Sequence, residues 1–96
     1  MTSIIWSPQA LRDVESIRAY IEQDSPRVAT LVVGRIIKAV KRLQVFPESG
    51  RKVPERNDTE IREVIEPPYR IVYRLRTHTV EVVTVFRGSR LLPSLR

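Results

Sequence analysis

The sequence predicts an α+β fold: a mainly antiparallel sheet, formed by an N-terminal strand and three C-terminal strands, packed against an N-terminal helical hairpin. Three observations predict it. Ser7-Pro8 and Ser25-Pro26 each open a stretch whose apolar residues recur at helical spacing. Beyond residue 60, IREVIE, YRIVYRLR and TVEVVTVFR are rich in β-branched and aromatic residues and are broken by Pro67-Pro68 and Thr77-His78. The order strand, helix, helix, three strands segregates the helices to one side of the sheet. At 96 residues and 42% hydrophobic, the chain is too apolar for disorder and long enough for one modest core. One domain over 1–96 is expected, with the hairpin at about 8–46 and the sheet at about 61–87.

Taken in order, Ser3 to Trp6 is a short apolar strand. Ser7 then caps a helix with Pro8 in its first turn, and Ala10, Val14, Ile17 and Ile21 form its apolar stripe. Ser25-Pro26 repeats the device after a tight corner. Ala29, Val33, Ile36, Val40 and Leu43 carry the stripe of the second helix, and Pro47 ends it. Arg27, Arg35, Lys38 and Arg42 lie on its other side and read as a solvated face. Gly34, inside this helix, costs about 1 kcal/mol relative to alanine and predicts close approach to another backbone element. Residues 47–60, PESGRKVPERNDTE, read as a charged loop joining the two halves. Thr77-His78 is short enough to close a hairpin, so His78 reads as a solvated turn residue. No internal repeat or low-complexity segment interrupts this plan.

In the hairpin Tyr69, Ile71, Tyr73 and Leu75 are expected toward the helices, which turns Arg70, Val72 and Arg74 to the opposite face. The next strand offers Val80, Val82, Thr84 and Phe86 on one side and Glu81, Val83, Val85 and Arg87 on the other. Which side faces the helices depends on the turn. The far face is expected to be an open groove of mixed valines and arginines.

Charge sharpens that expectation. The formal net charge is +6, so a polyanion or an acidic protein is the first class of partner to weigh. Residues 69–96 hold six arginines against Glu81 alone, whereas residues 1–68 are nearly balanced. Such a region, interleaved with valines, suits an acidic amphipathic segment that orders on binding. The chain has no cysteine, which excludes disulfides and thiolate chemistry and is consistent with the cytoplasm. No apolar run is long enough to span a bilayer, so no membrane partner is expected, and no metal or cofactor is expected.

The ordered set WSPQALRDVESIRAYIEQDSPRVA, VFPESGRKVPE, IREVIEPPYRIVYRL and VEVVTVFRGSRLLP resembles the RelE/ParE superfamily of bacterial type II toxins over Trp6 to Pro93. The resemblance implies a growth-inhibiting toxin neutralised by a cognate antitoxin. It also implies one of two activities: ParE-like inhibition of DNA gyrase, or RelE-like cleavage of messenger RNA on the ribosome. The helix pair and the SGRKVPE loop are more similar to the ParE side.

Site chemistry leads the same way. Cleavage through a ribose 2′-hydroxyl needs groups that exchange protons as well as arginines that bind charge. Many superfamily members carry a histidine where Arg87 stands, and RelE-like nucleases often place a tyrosine near the C-terminus. Here His78 is the only histidine, and no tyrosine follows Tyr73. In the nuclease branch the resemblance would make Arg70 and Arg90 catalytic phosphate contacts. In the ParE branch no catalytic residue is expected, and Arg62, Arg70, Val72, Arg74, Val83, Val85, Arg87 and Arg90 are the candidates for contact with target or antitoxin. Arg62 reads equally as a structural ion pair with Glu60 or Glu66. A non-toxic nucleic-acid-binding module is the further alternative.

Overall fold

The computed structural model describes residues 2–89 and 92. Strand β1 (Ser3–Trp6) leads into helix α1 (Pro8–Glu22) and helix α2 (Pro26–Lys41), which ends in a 3-10 turn at Arg42–Gln44. Strands β2 (Arg51–Lys52), β3 (Ile61–Glu66), β4 (Tyr69–Arg76) and β5 (Thr79–Arg87) follow. The sheet order is β1-β5-β4-β3-β2, and only β1 with β5 is parallel. The α+β class and the helical hairpin are as expected, with one strand more: β2 lies inside the expected 47–60 loop.

Both helices start where their caps dictate. The Ser7 hydroxyl accepts a hydrogen bond from the Ala10 amide and the Ser25 hydroxyl one from the Val28 amide, each satisfying an orphan donor ahead of a first-turn proline. Ser7 does a second job by donating to the Val83 carbonyl at 2.8 Å. Asp13 accepts from the Val85 amide at 3.0 Å and from the Thr84 hydroxyl, closing the edge of β5 beyond the point where β1 ends.

The helix-side core joins Ala10, Ile36, Ala39 and Val40 to Tyr69, Ile71, Val82 and Val85, with Leu43, Tyr73 and Val80 buried at the far end. The faces of β4 are those its alternation predicts. On β5 the register shifts between Val72 and Tyr73, whose partners are Thr84 and Val82, so Val83 is an extra residue. Val82 and Val85 therefore both reach the helix-side core, although no simple alternation puts them on one face.

Two expectations fail. Gly34 approaches nothing among the described residues: a Cβ built there would have no neighbour within 4 Å, because the glycine lies on the exposed side of α2. Nor is the far face of the sheet an open groove. Val53, Ile61, Val72 and Phe86 form a second small core there, with Leu92 packed against it. The segment after α2 crosses the end of the helix-side core under Tyr73, pairs as β2 with β3, and turns back over the far face. That path exists because Tyr73 anchors it: its hydroxyl donates to the Pro47 carbonyl at 2.7 Å and accepts from the Gly50 amide at 3.0 Å.

Candidate functional site

The wrapped segment and the strands beneath it assemble a network of charges on the far face. β3 presents Ile61 and Glu63 to this side, and β4 presents Arg70 and Val72, so the pleat brings an acid and a base together between apolar neighbours. Arg70 Nε donates to Glu63 Oε1 at 2.7 Å. Its two terminal nitrogens grip Glu55 in a fork, Nη1 to Oε2 at 2.8 Å and Nη2 to Oε1 at 2.7 Å. The guanidinium carbon also lies 5.0 Å from the centre of the Phe86 ring, within range of a cation–π contact. Arg70 is thus nearly buried and fully engaged, with 9% of its side chain exposed.

The two carboxylates are held differently. Glu63 has no exposed side-chain surface and takes its second cation from Arg51, whose Nε donates to Oε2 at 2.6 Å. Glu55 sits on the wrapped segment and also accepts the Leu92 amide at 3.0 Å. Its pKa falls to about 2, chiefly through the hydrogen bonds from Arg70 and then that amide. An open cleft of about 600 Å³ lies beside the network, with Pro54, Ile65, Pro67 and Pro68 among its walls.

The remaining expected site residues are scattered. Arg62 pairs with neither Glu60 nor Glu66; it donates to the Gly50 carbonyl at 3.0 Å and the Glu48 carbonyl at 3.3 Å, fastening the loop. Its Nε is buried with no hydrogen-bond partner among the described residues. Val72 and Val85 are buried in the two opposite cores, which removes both from the surface where contact was expected. Val83 is half-buried at the bulge, and Arg74 stands 3.8 Å from Glu81 across the β4–β5 pair. Arg87 is exposed, with its guanidinium carbon 6.0 Å from the centre of the Tyr69 ring. Arg90 lies outside the described residues. His78, with φ 60°, turns the β4–β5 hairpin, roughly 20 Å along the strand from Arg70.

Sequence reasoning missed Glu55, Glu63, Arg51 and Phe86. A signal for one pair was present. Ile61-x-Glu63-x-Ile65 and Arg70-x-Val72-x-Arg74 place opposite charges at alternating positions of two strands joined by a short turn, where they can meet across the sheet. Glu55 carried no such mark, since its place depends on the path of the loop.

The family model for the ParE toxin of type II toxin-antitoxin systems, parDE, matches residues 4–92. The chain is 38% identical over 92 residues to the protein named "Putative toxin Y4kP" from Sinorhizobium fredii, covering 96% of this chain and 94% of the relative. It is 35% identical over 92 residues to the toxin RelE2 of Caulobacter vibrioides, covering 95% and 100%. Among solved structures, the chromosomal ParDE toxin-antitoxin system from P. aeruginosa superposes with a TM-score of 0.74 at 24% identity, covering 91% of this chain and 96% of that one. That likeness is one of fold.

Proposed function

The chain belongs to the ParE toxin family of type II toxin-antitoxin systems, and we propose that it arrests bacterial growth by inhibiting DNA gyrase in the cytoplasm, and that a cognate antitoxin neutralises it. Names from both branches of the superfamily occur among its relatives, so the activity has to be argued from the site.

The observation that carries the reading is the state of Arg70. An arginine that binds a phosphate in a reaction needs donors turned toward that phosphate, whereas these donors are taken by Glu63 and Glu55. Cleavage also needs a proton acceptor and a proton donor within hydrogen-bond reach of the reacting oxygens. Glu55, with its pKa near 2, is a weak base. The Tyr73 phenol is buried, with its pKa raised by desolvation and its hydroxyl committed to Pro47 and Gly50. His78 stands at the far end of the hairpin. These groups are arranged to hold the fold, which favours inhibition by contact over catalysis. In this reading Arg62, Arg70, Val72 and Val85 support the surface, while Arg74, Arg87 and the bulged Val83 remain available to a partner.

The antitoxin has a physical motive as well. The formal charge of +6 disfavours self-association and attracts an acidic chain, and binding would stabilise the folded toxin by mass action.

Induced expression in bacteria, with and without the product of the adjacent reading frame, tests the proposal. Growth arrest with a DNA-damage response, filamentation and intact transcripts is expected, relieved by the neighbouring gene product. Arrest with cleaved, ribosome-bound transcripts would overturn it in favour of an endoribonuclease, and absence of arrest would overturn toxicity itself.

A further inference from the structure

The connection between the 3-10 turn and β2 holds two large apolar side chains in water. Val45 is 59% exposed and Phe46 63%, and neither packs in any of the buried clusters. Leu43, with no exposed surface, is the residue that fastens this turn to Tyr73 and Val80. The fold therefore makes no use of the pair that follows it. A single exposed apolar residue is ordinary, whereas an adjacent pair that includes an aromatic is a candidate contact surface.

The backbone beneath the pair is held on both sides. The Val45 and Phe46 amides both donate to the Arg42 carbonyl, at 3.1 and 2.9 Å, and the Phe46 carbonyl accepts the Ser49 amide at 3.1 Å. Before the pair, the Gln44 carbonyl accepts the Thr2 amide at 3.2 Å; after it, the Pro47 carbonyl accepts the Tyr73 hydroxyl at 2.7 Å. Residues 45 and 46 are thereby carried across the end of the helix-side core. This is the end where the Thr77-His78 turn closes the β4–β5 hairpin, since the next amide of β1, that of Ser3, donates to the His78 carbonyl at 3.0 Å. Lys41, Arg42 and Arg76 are exposed at this end, and among the described residues no carboxylate pairs with any of them.

We propose that Val45 and Phe46 form the knob by which this chain holds its target, entering an apolar socket with an acidic rim on folded DNA gyrase, while Lys41, Arg42 and Arg76 meet the carboxylates of that rim. This rests on the reading of the chain as a gyrase inhibitor and gives that reading a contact. Shape and charge select the occupant. A side chain standing out on a fixed backbone needs a cavity to enter, which a folded protein offers and a segment that orders only on binding does not. That separates the target from the antitoxin. The fixed backbone also leaves little to be ordered on binding, so the contact is preorganised. A second copy of this chain would bring a charge of +6 against its like. A DNA duplex could receive Phe46 as a wedge between base pairs, but the exposed Glu48, two residues on, would then face phosphates.

The test follows three readouts of the full chain: inhibition of DNA supercoiling by purified gyrase, affinity for the purified product of the adjacent reading frame, and affinity for duplex DNA. Wild type, Phe46→Ala, Val45→Thr, Arg76→Glu and Tyr20→Ala are compared. The side chains at 45 and 46 are exposed and take no part in the hydrogen bonds that hold the turn, so the urea midpoints of Phe46→Ala and Val45→Thr should match wild type. The half-inhibitory concentration should rise about tenfold or more for Phe46→Ala, and by less for Val45→Thr. Arg76→Glu should raise it at low salt, with the gap narrowing at high salt. Tyr20→Ala removes another exposed aromatic, on α1, and should leave inhibition unchanged. Affinity of Phe46→Ala for the antitoxin should stay at the wild-type value. Wild-type inhibition by Phe46→Ala would overturn the knob while leaving gyrase inhibition intact. Loss of antitoxin affinity with inhibition unchanged would assign the pair to the antitoxin, and loss of duplex binding with inhibition unchanged would assign it to nucleic acid; either overturns the proposal. If wild type itself fails to inhibit gyrase, the underlying reading falls and this contact falls with it.

Discussion

Replacing Arg70 with alanine should cost about 3 kcal/mol of folding stability. Glu63 is the reason, because its side chain has no exposed surface and its Oε1 takes a donor from Arg70 at 2.7 Å. Removing one partner of a buried ion pair strands the other, typically at about 3–5 kcal/mol. Arg51 still reaches Oε2, but its own side chain is 61% exposed and screened, so it offsets only part of that loss. The lower end of the range is therefore expected. It is a large share of the roughly 5–15 kcal/mol that holds a domain together. Urea unfolding followed by fluorescence of Trp6, the single tryptophan, reads the change directly, since Trp6 packs against the helix-side core. The double replacement Arg70→Leu with Glu63→Leu removes both charges, so it should recover most of the loss. An Arg70→Ala midpoint within about 1 kcal/mol of wild type, or a double variant as unstable as the single, would refute a structural role for the pair. The consequence reaches function: loss of toxicity in Arg70→Ala identifies catalysis only if the folded population is first shown to be intact.

Three further outcomes follow from the same geometry. Gly50→Ala should destabilise by about 1–3 kcal/mol, because the added Cβ would lie 2.6 Å from the Tyr73 hydroxyl and 2.8 Å from the Glu63 carbonyl oxygen; thermal unfolding measures it. Tyr73→Phe should cost about 1–3 kcal/mol by leaving the buried Gly50 amide and the Pro47 carbonyl without their partner, and hydrogen exchange should show the Gly50 amide losing protection. Glu55 has its pKa lowered from 4.5 to about 2 in the folded chain, so its contribution is fully present above the unfolded value. It disappears as pH falls from about 4.5 to 2. Wild type should therefore exceed Glu55→Gln in urea midpoint at pH 6, and the gap should close across that window.

The elements legible in the sequence were those fixed by local chemistry. Serine caps with first-turn prolines located both helix starts, and Pro67-Pro68 and Thr77-His78 bounded β3, β4 and β5 where the backbone must turn. β2 and the wrap over the far face were hidden because their causes lie far along the chain. Tyr73 fastens residues 47 and 50, and Arg70 fastens Glu55, across separations of 15 to 26 residues. A stretch with seven charged side chains reads as solvated until it is known that one carboxylate meets a buried guanidinium and that Val53 goes under with it.

The surface assignment failed for a related reason, and the failure is informative. Strict alternation on β5 sets Val82 and Val85 on opposite faces, so one of them had to line a groove. A single extra residue at Val83 brings both under the helices and sends Phe86 to the far side, where it lies beneath Arg70. The bulge is held from outside the strand by the Ser7 hydroxyl on the Val83 carbonyl and by Asp13 on the Val85 amide. The start of α1 thus shapes β5, and β5 in turn decides which valines the surface can offer. With those valines and Arg70 taken up by the two cores, the exposed apolar side chains are spread over several elements: Ile5 on β1, Leu11 and Tyr20 on α1, Val28 and Leu31 on α2, and Ile65 on β3. Of the described arginines in the last third, Arg70 is built into the fold and Arg74 faces Glu81, so the cationic excess that pointed to a partner is offered there by the exposed Arg76 and Arg87.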